Sequence, residues 1–446
     1  MSKPVRSGGP RLVLGSVWAV SLPLVFAELG EVVVHVTDTV LLARVGSAEL
    51  AAVAVGDVVL ALAMVPALGL VEAVQIAVAR RAGEERPSDL RRVFLQGFLL
   101  IGLASLGALA AISLGAGALS GLLTDEAEVA SQLTAFLRIA AFGIVFEAAS
   151  LGLGALCVGL GRTQIILGAT VVLGVTNLFA SSLLIFGLGP APALGIEGAA
   201  LGSVLAEVTA FVVLAAYAVR RLHLALPAPE RWKPGTARSL VRLAWPVSLE
   251  EALDTVRWLL FFLLIGRLGE EALAASSIVY ACYAAFSIPV AGFGETTCSL
   301  TSRLVGRREA TAVPDAVRHL ARRVYLLTLP FLALGLLVPD ALLVIFDTEG
   351  GHPTGTALAV RIVALAMVVA VPGELWLAAL VGTGDTGRAL GVGLAEGAAM
   401  TAMTALVVTL GGGVAGAWLA VALAGVVELV LAKRSVERSQ WRSRWA

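Results

Sequence analysis

Long apolar runs, each broken by a short polar cluster, fill almost the whole chain. A membrane-spanning helix needs about 20 apolar residues, and twelve such runs lie between basic clusters and Gly, Pro or acidic breaks. The pattern predicts helices over 15–42, 48–79, 93–120, 129–158, 164–187, 195–219, 240–266, 271–302, 324–346, 355–381, 387–411 and 413–432. Composition agrees: 58% of residues are hydrophobic and 14% charged, with a mean hydropathy of +0.92, whereas a soluble domain carries about 25% charged residues. The expectation is an all-α integral membrane protein with twelve transmembrane helices.

Charge sets the orientation. Of 32 Lys and Arg residues, 27 fall on one side, in the N-terminus, in the connections at 80–92, 162, 220–242, 303–323 and 388, and in the tail. Arg44 and Arg267 lie on the other side, and Arg138, Arg257 and Arg361 within predicted helices. The positive-inside rule then puts both termini in the cytoplasm of a prokaryotic plasma (inner) membrane. The short basic N-terminus and the long apolar run behind it read as an uncleaved first helix, not a signal peptide. A net charge of zero argues against nucleic acid, which leaves the lipid bilayer as the expected large partner. Cys157, Cys282 and Cys298 lie in apolar stretches without a CxxC and are read as small buried residues. Four histidines with no HxxxH pair and no Cys/His cluster predict no metal site.

The chain repeats itself at a constant offset. LPLVFAELGEVVVHVTDTVLLARVG parallels WPVSLEEALDTVRWLLFFLLIGRLG, pairing Pro23 with Pro246 at an offset of 223. The same offset pairs Glu28/Glu251, Arg44/Arg267, Gly46/Gly269, Pro66/Pro289, Gly69/Gly292, Glu72/Glu295, Arg138/Arg361, Gly159/Gly382, Gly161/Gly384 and Thr163/Thr386. GIEGAA at 195–200 then answers GVAGAW at 413–418. Six helices separate the repeats, so both run in the same orientation. The expected organisation is an N-lobe at 1–219, a basic cytoplasmic linker at 220–239, a C-lobe at 240–432 and a cytoplasmic tail at 433–446. Two parallel lobes suit alternating access, which places a secondary transporter ahead of other classes.

Ionisable residues within the bilayer are costly and mark function. At 100° per residue, Glu28, Glu31, His35 and Asp38 share an arc of about 80° on the first helix. Three carboxylates there cannot all be ionised cheaply, so the stripe reads as a proton-binding cluster with His35 able to share a proton. Pro23 leaves a carbonyl unpaired in the same helix and is a candidate hinge. The seventh helix differs: Glu250, Glu251 and Asp254 are followed by Arg257, an internal ion pair by spacing, and Trp258 stands where His35 does and could stack on an organic cation. Glu72 and Glu295 are cavity candidates on the second and eighth helices, and Glu147 another on the fourth. Glu197, Glu207, Glu396 and Glu428 are read as structural, and Asp57 is left unassigned.

The stretch from Pro23 to Asp38-Thr39, followed by ARVGSAELAAVAVG, resembles the multidrug and toxic compound extrusion (MATE) family, as do GLGRT, GTGDT, LIFG and GIEGAALGSV farther on. The resemblance covers about residues 15–432. It implies two six-helix bundles forming a V and an antiporter that expels organic cations in exchange for H+ or Na+. The family's first-helix aspartate falls on Asp38. A second aspartate, which one archaeal and bacterial branch carries in a motif like N-x(3)-D-x(3)-IFG, falls on Ser181 in the NLFASSLLIFG of this chain, while Asn177 is kept. The acid of the Na+-type seventh helix is Asp254; that branch's tenth-helix acid falls on Ala370, with Glu374 one turn on. FEA around Glu147 resembles a motif of the eukaryotic branch.

The combined expectation is proton exchange in the N-lobe and substrate or ion contacts from Asp254, Glu251, Glu295, Glu374 and Trp258 in the C-lobe. No cofactor is expected beyond a coupling ion, H+ ahead of Na+, and the protein is expected to be a monomer. A lipid-linked oligosaccharide flippase would want a more basic cavity, and a specific metabolite exporter stays open. A membrane transferase would want clustered Mg²⁺-binding carboxylates such as DDxxD, which the chain lacks.

Overall fold

The computed structural model describes residues 17–85, 87–187, 192–222, 232–344, 353 and 355–438. Most of the expected linker (223–231) and the end of the tail (439–446) lie outside the described residues, as do the basic residues before Val17. Every regular element described is helical: α1 (Val17–Leu42), α2 (Ser47–Gly83), α3 (Pro87–Leu123), α4 (Ala127–Leu160), α5 (Gln164–Phe186), α6 (Ile196–Arg221), α7 (Pro234–Gly266), α8 (Glu270–Gly306), α9 (Val313–Leu337), α10 (Pro339–Leu343), α11 (Thr356–Gly382), α12 (Thr386–Thr409) and α13 (Val414–Glu437), with one 3-10 turn at Ala310–Ala312. Eleven of these helices are long and apolar enough to cross a membrane. The other two are α10, with five residues, and α7, which has 33 but concentrates Glu250, Glu251, Asp254 and Arg257 within about two turns. Leu114 and Leu122 on α3 are 89% and 82% exposed, with Phe179 on α5 and Leu410 after α12 also open. Apolar exposure on this scale belongs to a surface solvated by lipid. The chain is thus a multi-pass, all-helical membrane protein.

The ninth span departs from the predicted 324–346. α9 starts at Val313, with Pro314 in its first turn, so Arg318, Arg322 and Arg323 ride on the helix. It stops at Leu337 because Pro339 disfavours helical geometry in the residue before it, and Val338 adopts φ −137°, ψ 61°. Basic residues are poor punctuation where a helix runs on past the bilayer.

Packing divides the helices into two units, one of residues 17–25 with 249 onward, the other of residues 26–248. In the first unit the opening segment of α1 packs on α8. Ser21 donates to the Thr296 hydroxyl at 2.9 Å, and Trp18 meets Phe293 edge-on at 5.6 Å. A Cβ at Gly292 would lie 2.7 Å from the Val25 nitrogen, so only glycine permits that approach. In the second unit the opening segment of α7 packs on α2 by the same device, where a Cβ at Gly69 would lie 2.9 Å from the Ser248 nitrogen. Gly69/Gly292 and Val25/Ser248 are both pairs at offset 223. The sequence repeat is therefore a repeat of backbone contacts.

The later motifs also act through close approach. A Cβ at Gly382 would sit 2.5 Å from the Cys298 carbonyl oxygen, and Ser302 donates to the Gly382 carbonyl at 2.7 Å. The partner Gly159 faces Val78 and Ala79 on α2, which are the repeat partners of Thr301 and Ser302. All three cysteines are buried free thiols. On α6, Gly198, Gly202, Ala206 and Ala210 form a buried stripe at four-residue spacing, the small-residue pattern by which membrane helices approach closely. A Cβ at Gly202 would lie 2.7 Å from the Ser181 backbone nitrogen on α5. Gly202→Ala is expected to lower the melting temperature in detergent, at a cost of about 1–3 kcal/mol. Gly102→Ala on α3, where nothing lies within 4 Å, is expected to leave it unchanged or raise it slightly.

Candidate functional site

In the second unit, small residues bring α1 against α5. A Cβ at Gly30 would lie 2.7 Å from the Thr170 methyl, and one at Gly174 would lie 3.3 Å from a Val34 methyl. Continuing along the same face by one turn brings Asp38 to Asn177. The Asn177 amide donates to Asp38 Oδ2 at 3.1 Å, and Ser181 donates to Asn177 Oδ1 at 3.2 Å. Ser203 on α6 lies 3.5 Å from the same amide nitrogen. Thr209 donates to Thr176 at 3.2 Å, which fastens α6 to α5 beside the site. Asp38 Oδ1 is buried and has no hydrogen-bond partner among the described residues. Asn177 and Ser181 are buried, Asp38 and Glu28 half-buried, and Glu31 and His35 exposed.

Other acids converge on this stripe from neighbouring helices. Asp57 on α2 lies within electrostatic reach of both Asp38 and His35. Glu147 on α4 faces Asp57 and Glu31, and Glu207 on α6 faces Glu147 and Glu31. The predicted residues Glu28, Glu31, His35, Asp38, Glu147, Asn177 and Ser181 are thus gathered in one unit. Asp57, Ser203 and Glu207 join them. The available signal for the last two was their spacing: Ser203 and Glu207 are one turn apart on α6, beside its small-residue stripe.

The C-terminal half gathers its acids around one cation. Arg257 bonds Asp254 on its own helix and Glu396 on α12. Glu250, Glu374 and Glu428 all lie within electrostatic reach of the guanidinium. Glu251 acts on Glu250 and Glu374. Trp258 centres an aromatic group, with its ring 4.7 Å from Tyr280, 5.3 Å from Tyr283, 5.7 Å from Phe261 and 6.0 Å from Trp418. Glu396 and Glu428 belong to this cluster although each stands alone in an apolar run. Glu72 on α2 and Glu295 on α8 are half-buried, and each engages a neighbour. Pro23 is buried in the segment of α1 that packs on α8.

Among the described residues, Asn177 is the one side chain that hydrogen-bonds Asp38. Asn177→Ala is expected to destabilise the protein by about 1–3 kcal/mol, read as a lower melting temperature. Ser203→Ala is expected to cost little, since its contact with the amide is long.

The MatE family profile matches residues 23–183 and 246–396. The probable multidrug resistance protein NorM of Agrobacterium fabrum is 27% identical over 287 residues, 63% of this chain and 60% of that protein. The multidrug resistance protein NorM of Burkholderia vietnamiensis is 27% identical over 306 residues, 67% of this chain and 64% of that protein. The match thus spans somewhat less than two thirds of either relative's length. Among solved structures, a mutant of the Vibrio cholerae MATE transporter VcmN superposes with a TM-score of 0.87 at 16% identity, covering 97% of this chain and 99% of that one. A MOP superfamily transporter of Pyrococcus furiosus, described as having a binding pocket of reversed polarity, gives 0.86 at 16% identity, covering 96% and 95%. The structures establish the shared fold, and the profile match across both repeats establishes descent: the chain belongs to the MatE family.

Proposed function

We propose that this protein is a cation-coupled antiporter that exports small organic cations by alternating access, driven by H+ in preference to Na+. The observation that carries the reading is Asp38, whose Oδ2 is held by Asn177 while Oδ1 is left to take a proton. Antiport requires that ion and substrate oppose each other's binding, and such coupling is reciprocal. A cationic substrate needs an ionised carboxylate, and a proton removes that charge, so an acid-lined site performs both tasks. One charge crossing 100 mV supplies about 2.3 kcal/mol.

In this reading Glu28, Glu31, His35 and Asp38, with Asn177 and Ser181, exchange protons, and Pro23 is the hinge through which protonation bends α1. Asp254, Glu251, Glu295, Glu374 and Trp258 serve the organic cation, with Glu72 and Glu147 as further cavity residues. The naming of relatives as multidrug resistance proteins supports this substrate class. Twelve crossings, lobes at 1–219 and 240–432 joined by 220–239, a tail at 433–446, cytoplasmic termini and a monomer in a prokaryotic inner membrane belong to the same reading. The protein is a transporter, not an enzyme, and works without a cofactor other than its coupling ion.

Proteoliposomes loaded with an organic-cation dye test this directly. An imposed proton gradient is expected to drive dye movement without Na+, and Asp38→Asn is expected to abolish it while the protein still folds. Normal transport by Asp38→Asn, or transport driven by Na+ alone, would sink the proton assignment. Trp258→Ala is expected to raise the KM for dye by about 2- to 30-fold through loss of cation–π contact, with the proton dependence intact.

A further inference from the structure

In the C-terminal half Glu250, Asp254, Glu374, Glu396 and Glu428 converge from four helices on one cation, and among the described residues no three acids are grouped closely enough to hold a metal ion by themselves. The cation is already there. Arg257 bonds Asp254 and Glu396 at once, and Glu250, Glu374 and Glu428 lie within its field. Glu396 is 7% exposed and the Arg257 side chain 19% exposed. A guanidinium stays charged at any physiological pH, and its fork matches carboxylate geometry.

The packing is built to receive it. A Cβ at Gly397 on α12 would lie 3.5 Å from Arg257 Cδ, and one at Gly393, a turn earlier, would lie 3.2 Å from Glu250 Oε1. The repeat supplies a control. At offset 223 Gly397 corresponds to Gly174, and Arg257 to Val34. The notch at Gly174 holds the Val34 methyl at 3.3 Å. The same helix crossing therefore carries a plain apolar contact in one half and a charged one in the other. The guanidinium carbon lies over the indole of Trp258, 5.9 Å from the ring centroid. Glu428 is 8% exposed and its Oε1 has no hydrogen-bond partner among the described residues, so acceptor capacity remains after Arg257 is satisfied.

We infer that Arg257 is a tethered cation, standing where an inorganic coupling cation would otherwise bind in the C-terminal half, and that this half therefore takes no Na+. A mobile alkali ion would have to displace a guanidinium from two carboxylates that hold it on separate helices. Glu374 and Glu428 stay available to a substrate that tolerates Arg257 nearby. The inference deepens the proton-driven reading proposed above, and it assigns Arg257 as a residue that determines ion selectivity by occupying the site.

The test measures ²²Na⁺ binding to purified full-length protein, without transport. Wild type is expected to show no saturable binding, and its melting temperature is expected to be the same in Na+ as in choline. Arg257→Met is expected to gain saturable Na+ binding, several-fold above wild type, and Arg257→Met/Glu396→Gln to lose it again. Arg257→Lys, which keeps the charge, is expected to behave as wild type. Saturable binding to wild type that Glu396→Gln removes, or a Na+-dependent rise in its melting temperature that Glu396→Gln removes, would overturn the inference even if Arg257→Met does not fold. So would a folded Arg257→Met that binds no more Na+ than wild type. Failure of proton-driven export would appear in the dye assay alone, so the two readings fail separately.

Discussion

A carboxylate inside a bilayer must be hydrogen-bonded, paired or protonated, because lipid offers it no solvation. The two halves of this protein meet that requirement differently. In the N-terminal half a neutral amide does part of the work: Ser181 engages the Asn177 oxygen, and the Asn177 nitrogen is turned to Asp38. In the C-terminal half a guanidinium does it, joining α7 to α12. An amide brings no net charge to the carboxyl group, whereas an arginine brings a fixed positive one.

The repeat shows how that difference arose on one scaffold. Backbone contacts are kept between the halves: Gly69 and Gly292 accept corresponding segments of α7 and α1, and Gly159 and Gly382 face corresponding turns. Side-chain chemistry is kept only in part: Glu28 answers Glu251 and Glu31 answers Asp254, but other polar positions change. At offset 223, His35 answers Trp258, Asp38 answers Phe261, and Asp57 answers Tyr280. Three ionisable positions in one half are thus aromatic in the other. Glycines are retained because a Cβ would meet backbone there, and backbone cannot yield. The polar positions face no such constraint.

The all-helical class was legible because each run of apolar residues is long and each break is marked; twelve spans were expected, and eleven of the described helices are long and apolar enough to cross a membrane. Asp38, Asn177 and Ser181 were legible because they fall in motifs with fixed spacing. Glu396 and Glu428 were not: each is a single acid in an apolar helix, and nothing local says that Arg257, more than a hundred residues away in sequence, lies opposite Glu396. Glu207 failed for the same reason, since its partners Glu147 and Glu31 sit on other helices. The start of α9 was missed because arginines on a helix that outruns the bilayer look like those of a loop. Periodicity reports one helix at a time, and a charge cluster is a property of several.

The crossed assignment of the opening segments has a consequence for how the chain is made. The Val17–Val25 stretch is synthesised first but finds its partners on α8, so it must wait while the intervening helices emerge. The 26–248 unit, conversely, lacks its last piece until residues 240–248 of α7 have left the ribosome. Neither unit is complete at the midpoint of translation, and a break in the chain near residue 220 would leave both unfinished. The boundary between the two repeats therefore cannot be a simple seam between independently maturing pieces: each repeat is born carrying a segment that packs with the unit of the other.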